Sequence, residues 1–299
     1  MSTRPLTMAK RRPPSVHGLA VVDKPAGITS HDVVNQMRRR LGERRIGHAG
    51  TLDPDATGVL LVGVGSVTRL MRFLTEQGKR YVGEVVFGTE TSTLDAAGEI
   101  TARHEMTVSL DAVRRTAAEH LTGEILQIPP MVSALKVGGR RLHELAREGI
   151  EIERVPRPVT IHELLVDATE DPTVMRIEVA CSSGTYIRTL AADLGHLLGG
   201  GAHLRNLRRT GVGSFTIDEA LPPDDAPLLS AAAAMRGLTV AVADAAMVSA
   251  VRTGKVLAEF PGAPPWALVD DAGDLVAVYE PFRHGLAKPA VVLIGAFDQ

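Results

Sequence analysis

The feature that most constrains this chain is its apolar rhythm. It moves between period two and period 3.6 without settling into a regular strand–helix alternation. Residues 17–22, 59–64, 81–87, 174–181 and 212–217 read as strands. Thr29 or Ser30 is set to cap a helix running to about Leu41. Ser66 is set to cap a second, on which Val67, Leu70, Met71 and Leu74 fall at helical spacing before Gly78. Further helices are predicted over 110–121 and from the Ser182-Ser183-Gly184 turn to about Leu198. A doubly wound parallel sheet needs a crossover helix between successive strands. That order is missing here, so the α+β class is predicted. Hydrophobic residues make up 44% of the 299 but aromatics only 3%, so the core must be mainly aliphatic.

Two stretches interrupt this pattern. Residues 128–158 are rimmed by Pro129, Pro130, Pro156 and Pro158 and carry Lys136, Arg140, Arg141, Arg147 and Arg154. They read as an inserted arm with a short helix over 141–148. Residues 222–227 read as a Pro/Asp-rich linker. Beyond it, residues 239–299 read as a small module with strands at 267–269, 275–279 and 290–294. The linker makes this module separable, so its removal is expected to weaken the function of the rest only modestly and leave it largely intact. Residues 1–15 are basic and lack an apolar signal core, which predicts a disordered tail. No apolar run is long enough to span a bilayer. The one cysteine, Cys181, cannot form an intramolecular disulfide and suits a reducing cytoplasm.

Net charge is -2, but it is unevenly spread. Residues 1–50 carry ten Lys/Arg against three acids, and residues 215–299 carry five against eleven. A basic front points to a polyanion-binding face on part of the molecule.

Chemistry concentrates in residues 47–58, which pack three glycines, His48, Thr51 and the carboxylates Asp53 and Asp55 before an apolar strand. Pro54 biases Asp53 toward extended backbone and so directs its carboxylate. Arg188 falls in the first turn of a predicted helix, where a cation opposes the dipole by a few tenths to about 1 kcal/mol. A carboxylate partner would offset this and would itself be held ionised, with a low pKa. Other patterns are weaker. Gly63-x-Gly65 lacks the third glycine of a dinucleotide turn, position 68 being Thr68. Ser133-Ala134-Leu135-Lys136 has the S-x-x-K form of penicillin-recognising acyl-transferases but no Ser-Asp-Asn accompanies it. The ten histidines show no zinc-site spacing.

Several blocks together resemble the bacterial tRNA pseudouridine-55 synthase family. They are Asp23-Lys24-Pro25, residues 47–58, Lys79-Arg80-Tyr81, residues 93–98, 129–136 and 184–190 continuing to Arg209. The resemblance implies a pseudouridine synthase fold, a bent mixed and mostly antiparallel sheet flanked by helices. It implies a catalytic domain over 16–238, with 128–158 as an RNA-gripping thumb and 239–299 as a small PUA-like domain. It implies isomerisation of the T-loop uridine of tRNA by base flipping, with no cofactor and no metal. The implied partner is the T-arm stem-loop, and a monomer with no obligate protein partner is expected. Asp53, Tyr81 and Arg188 match the catalytic positions. His48, Lys24, Tyr186, Leu207, Arg208, Arg209 and Asp95 match positions that bind substrate or organise the site. A serine acyl-transferase and a non-catalytic RNA-binding protein remain the alternatives.

Overall fold

The computed structural model describes residues 13–133 and 135–293. The predicted basic tail lies outside the described residues except for 13–15, as do Ala134, Ile294 and the side chains of Lys136, Arg141 and Arg147 in the arm.

The first part of the chain contains β1 (Gly18–Lys24), α1 (Ser30–Leu41), β2 (Ile46–Ala49), β3 (Thr57–Val64) and α2 (Met71–Thr75). There follow β4 (Lys79–Phe87), β5 (Thr89–Thr91), β6 (Ile100–Arg103), α3 (Leu110–His120) and β7 (Gly123–Gln127). The arm holds β8 (Lys136–Val137), β9 (Arg140–Arg141) and α4 (Leu142–Arg147). Then come β10 (Arg157–Ala168), β11 (Val174–Cys181), α5 (Ile187–Leu197), β12 (Ala202–Val212), β13 (Phe215–Thr216) and α6 (Ala231–Ala234). The C-terminal part contains β14 (Thr239–Val242), α7 (Ala245–Arg252), β15 (Leu257–Ala258), β16 (Trp266–Val269), β17 (Leu275–Arg283) and β18 (Leu286–Val292).

One sheet runs β1-β3-β12-β4-β11-β10-β7, with β2 added on β3 and β13 on β12. Every pairing in it is antiparallel except β3 with β12, where Thr57 lies opposite Arg208 and Gly58 opposite Arg209. This is the mixed, mostly antiparallel sheet expected. Gly58 is obligatory at that junction: its φ is +101° and a Cβ would lie 2.1 Å from the Arg209 carbonyl oxygen. Helix α1 starts as predicted, with a Thr29–Asp32 capping box, and ends on left-handed Gly42. Its Val33, Val34 and Met37 pack against Ala20, Val22, Leu60 and Val62 of β1 and β3. At the other end of the sheet, Val113 and Ala117 of α3 and Leu190, Ala191 and Leu194 of α5 cover Val85, Ile177 and Leu204.

Several elements differ from the sequence reading. The loop expected over 47–58 begins as strand β2, which places His48 on a strand. Residues 65–70 form a 3-10 helix before α2, and Ser66 does not cap it. Residues 203–209, a basic stretch for which no element was predicted, belong to β12, in the middle of the sheet. Its arginines find partners inside the protein and therefore lie within a sheet that their charge would suggest excludes them.

The second sheet runs β14-β16-β17-β18-β15. It packs directly on the first: Ala267, Leu275, Val278, Val291 and Leu293 share one apolar cluster with Leu19, Val21, Val59, Leu61, Val67 and Leu70. Arg72 pairs with Glu280 at 2.7 Å and Arg69 donates to the Val292 carbonyl at 2.6 Å. Residues 222–227 are not free chain: Leu221 and Leu229 bridge to Val22 and Leu19 on either side, Ala226 is buried, and Arg40 donates to the Pro223 carbonyl. Each buried apolar side chain contributes roughly 1.5–3 kcal/mol. Opening a cluster of this size rivals the whole net stability of about 5–15 kcal/mol. A chain cut before Thr239 is therefore expected to melt at least about 10 °C lower, or to be insoluble, rather than to remain active. A truncation with the melting temperature of the full chain would show that the two sheets are independent.

Candidate active site

Asp53 lies in the turn between β2 and β3, and Lys24 anchors that turn. The ammonium of Lys24 is fully buried and donates to the carbonyls of Pro25 (2.8 Å), Ile28 (2.7 Å) and Pro54 (2.8 Å). Burial lowers its pKa to about 8, against the pull of Asp55 and Asp53. Arg209 clasps the turn from the other side, through the carbonyls of Val59 (2.7 Å) and Gly50 (3.0 Å), and is 1% exposed. Both cations are committed to backbone carbonyls of the chain, so their geometry fits organising the site rather than contacting a phosphate. Arg208 is held two-pronged by Asp23, at 3.1 and 2.7 Å, and also touches Thr57.

Arg188 stands in the first turn of α5, 5% exposed. Its Nε and Nη2 meet the two oxygens of Asp53 at 3.0 and 3.1 Å. Nη1 donates to the Thr93 carbonyl at 2.9 Å and lies 3.5 Å from Asp95; Nη2 also donates to the Val132 carbonyl at 2.7 Å. Two carboxylates thus offset the cation's unfavourable place at a helix N-terminus. The Val132 contact joins the root of the arm to the same guanidinium.

Among the described residues, two non-glycine residues have left-handed backbones, Leu94 (φ 61°) and Asn206 (φ 53°), and both border this site. Such conformations cost about 1–3 kcal/mol and persist where surrounding contacts enforce them. Leu94 is held by a hydrogen bond from the Leu204 amide, which sets Asp95 beside Arg188; Asp95 in turn accepts from Thr93 Oγ1 and the Ala97 amide. Asn206 sits in a bulge of β12, between the pairings of Arg205 and Arg208, and the bulge brings Leu207 to the cavity wall.

The cavity has a volume of about 430 Å³. Asp53, Tyr81, Tyr186, Arg188, Leu207 and Arg209 all line it. Asp53, Arg188 and Leu207 divide it from a neighbouring cavity of about 230 Å³ that Asp55 and Asp95 also line. His48, half-buried on β2, lines neither cavity. Ser133 lines the larger one. Sequence reasoning missed Gln127, whose buried amide bonds twice to the Tyr186 backbone, at 3.0 and 3.3 Å. It also missed any part for Lys79, Thr75 and Glu76, which line the cavity. Among the described residues no cluster of His, Cys, Asp and Glu suits a metal ion.

The Asp53 carboxyl is pushed above its ordinary value, contrary to the low pKa expected from a paired arginine. Burial is the largest cause and Asp95 adds to it, while Arg188 and Lys24 oppose them. The side chain is 39% open to the cavity, which tempers the effect. A raised folded pKa means that ionised Asp53 costs stability. That cost is absent below the unfolded pKa of about 3.9 and complete above the folded value. Asp53→Asn is therefore expected to melt at or above the wild-type temperature at pH 7, with the gap closing toward pH 4. A large loss of stability at pH 7 would show that the ion pair is a net stabiliser. Tyr81 is also raised, by burial, so its hydroxyl holds its proton and is a poor base.

The sheet, the arm and an arginine-paired aspartate in a base-sized cavity define an enzyme of the pseudouridine synthase class. The chain belongs to the TruB family of pseudouridylate synthases. The model of that family's N-terminal domain matches residues 38–187, and that of the tRNA pseudouridylate synthase B C-terminal domain matches 188–226. Proteins named tRNA pseudouridine synthase B from Bacillus licheniformis and Thermobifida fusca are 39% and 42% identical to it, over 95% and 93% of this chain and 99% of each of theirs. That of Mycobacteroides abscessus is 45% identical over 89% of this chain and 93% of its own. Among solved structures, a Cbf5-Nop10-Gar1 complex aligns with a TM-score of 0.68 at 25% identity, covering 94% of this chain and 81% of that one.

Proposed function

We propose that this chain converts the T-loop uridine at position 55 of tRNA to pseudouridine, with Asp53 as the catalytic carboxylate. The observation that carries this reading is the two-pronged Arg188–Asp53 pair at the wall of a cavity of about 430 Å³. The reaction breaks the N1–C1′ bond, turns the uracil and joins C5 to C1′. It needs neither an oxidant nor an external atom. Asp53 meets the positive charge that develops at C1′, as carboxylates do in glycosidases. Arg188 aims that carboxylate, and Asp95 and the Thr93 and Val132 carbonyls fix the arginine. The Tyr81 ring and Leu207 form apolar walls for the base.

A uridine in a folded loop must leave its stack to reach this cavity. His48, beside the loop yet outside the cavity wall, is assigned the place vacated in the stack. Tyr186 caps the wall at the start of α5, positioned by Gln127. The arm over 128–158 is assigned to the T-arm, and its link to Arg188 through Val132 would let RNA contact and catalytic alignment act together. The unit boundaries assigned are 16–238 for catalysis and 239–299 for the small PUA-like domain. We assign the protein to the cytoplasm, acting as a monomer without a cofactor. No helix among the described residues is long and apolar enough to cross a membrane.

Purified protein incubated with a T-arm hairpin, followed by carbodiimide labelling and primer extension, tests the reading. One new stop at the T-loop uridine is expected, absent from a hairpin with cytidine there. Binding of the hairpin without any modification would overturn it in favour of an RNA-binding protein.

A further inference from the structure

One buried cation at the cavity has no part in this scheme. Lys79 opens β4 two residues before Tyr81, so the pleat turns both side chains to one face, and both line the cavity with Asp53. Lys79 is 7% exposed. Its ammonium donates to the carbonyls of Thr75 and Gln77, each at 2.7 Å. An ammonium has three donors, and the third meets no acceptor among the described residues. Arg188 and Arg209, the other cations of the wall, are committed to carboxylates and carbonyls.

We propose that Lys79 is a catalytic residue that stabilises the detached uracil, its ammonium donating a hydrogen bond to a uracil carbonyl oxygen. This rests on the isomerase reading. When N1–C1′ breaks, the bonding pair leaves with the uracil and spreads over N1 and the carbonyl oxygens. Asp53 answers the electron deficiency at C1′, but neither it nor Glu76 on the same wall can accommodate a second anion. The Lys79 donor strengthens as that charge appears, which is the condition for lowering a barrier. When C5 bonds to C1′, the pair is used in the new bond. The C5 proton then goes to a base, N1 gains a proton, and Lys79 keeps its own throughout.

The groups facing the ammonium are Arg209 from β12, Cys181 from β11, Tyr81 on β4, and Glu76 and Asp53 across the cavity. Burial, then Arg209, lowers its pKa to about 8, with Cys181 opposing. The donor is therefore lost as pH rises through that value.

The test is single-turnover kinetics on T-arm hairpins carrying uridine or 5-fluorouridine, between pH 6.5 and 9.5, for wild type and Lys79→Met, beside filter binding. Fluorine stabilises the departing uracil anion and so lessens the need for the ammonium. Wild type is expected to slow by up to about tenfold per pH unit above about pH 8 on uridine, and the part of that fall due to Lys79 should be missing from Lys79→Met, which keeps Lys24 with its own pKa of about 8. Lys79→Met is expected to lose on the order of 10²-fold in rate with little loss of affinity. Most of that loss should disappear when glycosidic cleavage of 5-fluorouridine is followed. A defect equal on both hairpins would overturn the proposal, leaving Lys79 a brace for the Thr75 and Gln77 carbonyls. A wild-type rate flat to pH 9.5 would overturn it too, even if the variant does not fold. A wild type that makes no pseudouridine at any pH would instead refute the isomerase reading beneath it.

Discussion

Asp53→Asn is expected to reduce pseudouridine formation by a factor on the order of 10⁴ or more, while T-arm affinity stays within a few-fold of wild type. The amide is nearly isosteric, so the turn held by Lys24 and Arg209 through the Pro54 and Gly50 carbonyls survives. An amide has no anionic oxygen to trap or neutralise C1′, and losses of that order follow when a reacting group is removed. Affinity is expected to hold or improve slightly, since a carboxylate facing a polyanion has gone. Filter binding beside single-turnover kinetics separates the two effects. A parallel loss of binding and rate would make Asp53 a structural residue.

Arg188→Lys is expected to lower turnover by about 10³-fold, again with affinity little changed. The guanidinium makes two contacts to Asp53 and two to the Thr93 and Val132 carbonyls from one plane. A lysine at this depth supplies one donor centre and leaves some of those oxygens unmet. Charged hydrogen bonds contribute about 1.5–3 kcal/mol each, so losing alignment through two of them accounts for a barrier increase of about 4 kcal/mol. An equal fall in affinity and turnover, measured on the same hairpin, would reassign Arg188 to phosphate binding.

The parts of this site that were legible in the sequence are those whose chemistry is local. Asp53 is singled out by its following proline and its glycine-rich surroundings, and Arg188 by standing where a helix disfavours a cation. Their meeting depends on the order of the sheet, which no local pattern specifies. The burial of Lys24 and Arg209 was illegible for a related reason. A basic side chain in a sequence looks like a surface charge, and only the convergence of five backbone carbonyls on these two residues makes burial tolerable. The same applies to β12, whose arginines disguised a central strand. The low pKa expected for Asp53 counted the arginine but not the desolvation, which the cavity alone reveals. The apparent independence of the C-terminal module was inferred from prolines and charge. The apolar cluster it shares with the first sheet is built from residues more than two hundred positions apart, such as Leu19 and Leu293.

On the proposed reading the Asp53 carboxylate, and no other nucleophile of the cavity, isomerises the T-loop uridine. Ser133 lines the same cavity and is the nucleophile that the acyl-transferase alternative requires. The most direct measurement is pseudouridine formation at that uridine in single turnover with excess protein, for wild type, Asp53→Asn and Ser133→Ala side by side. Product at the T-loop uridine is expected with wild type, no product with Asp53→Asn, and most of the wild-type rate with Ser133→Ala. Wild-type rates with Asp53→Asn, or a folded Ser133→Ala that makes no product, would contradict it.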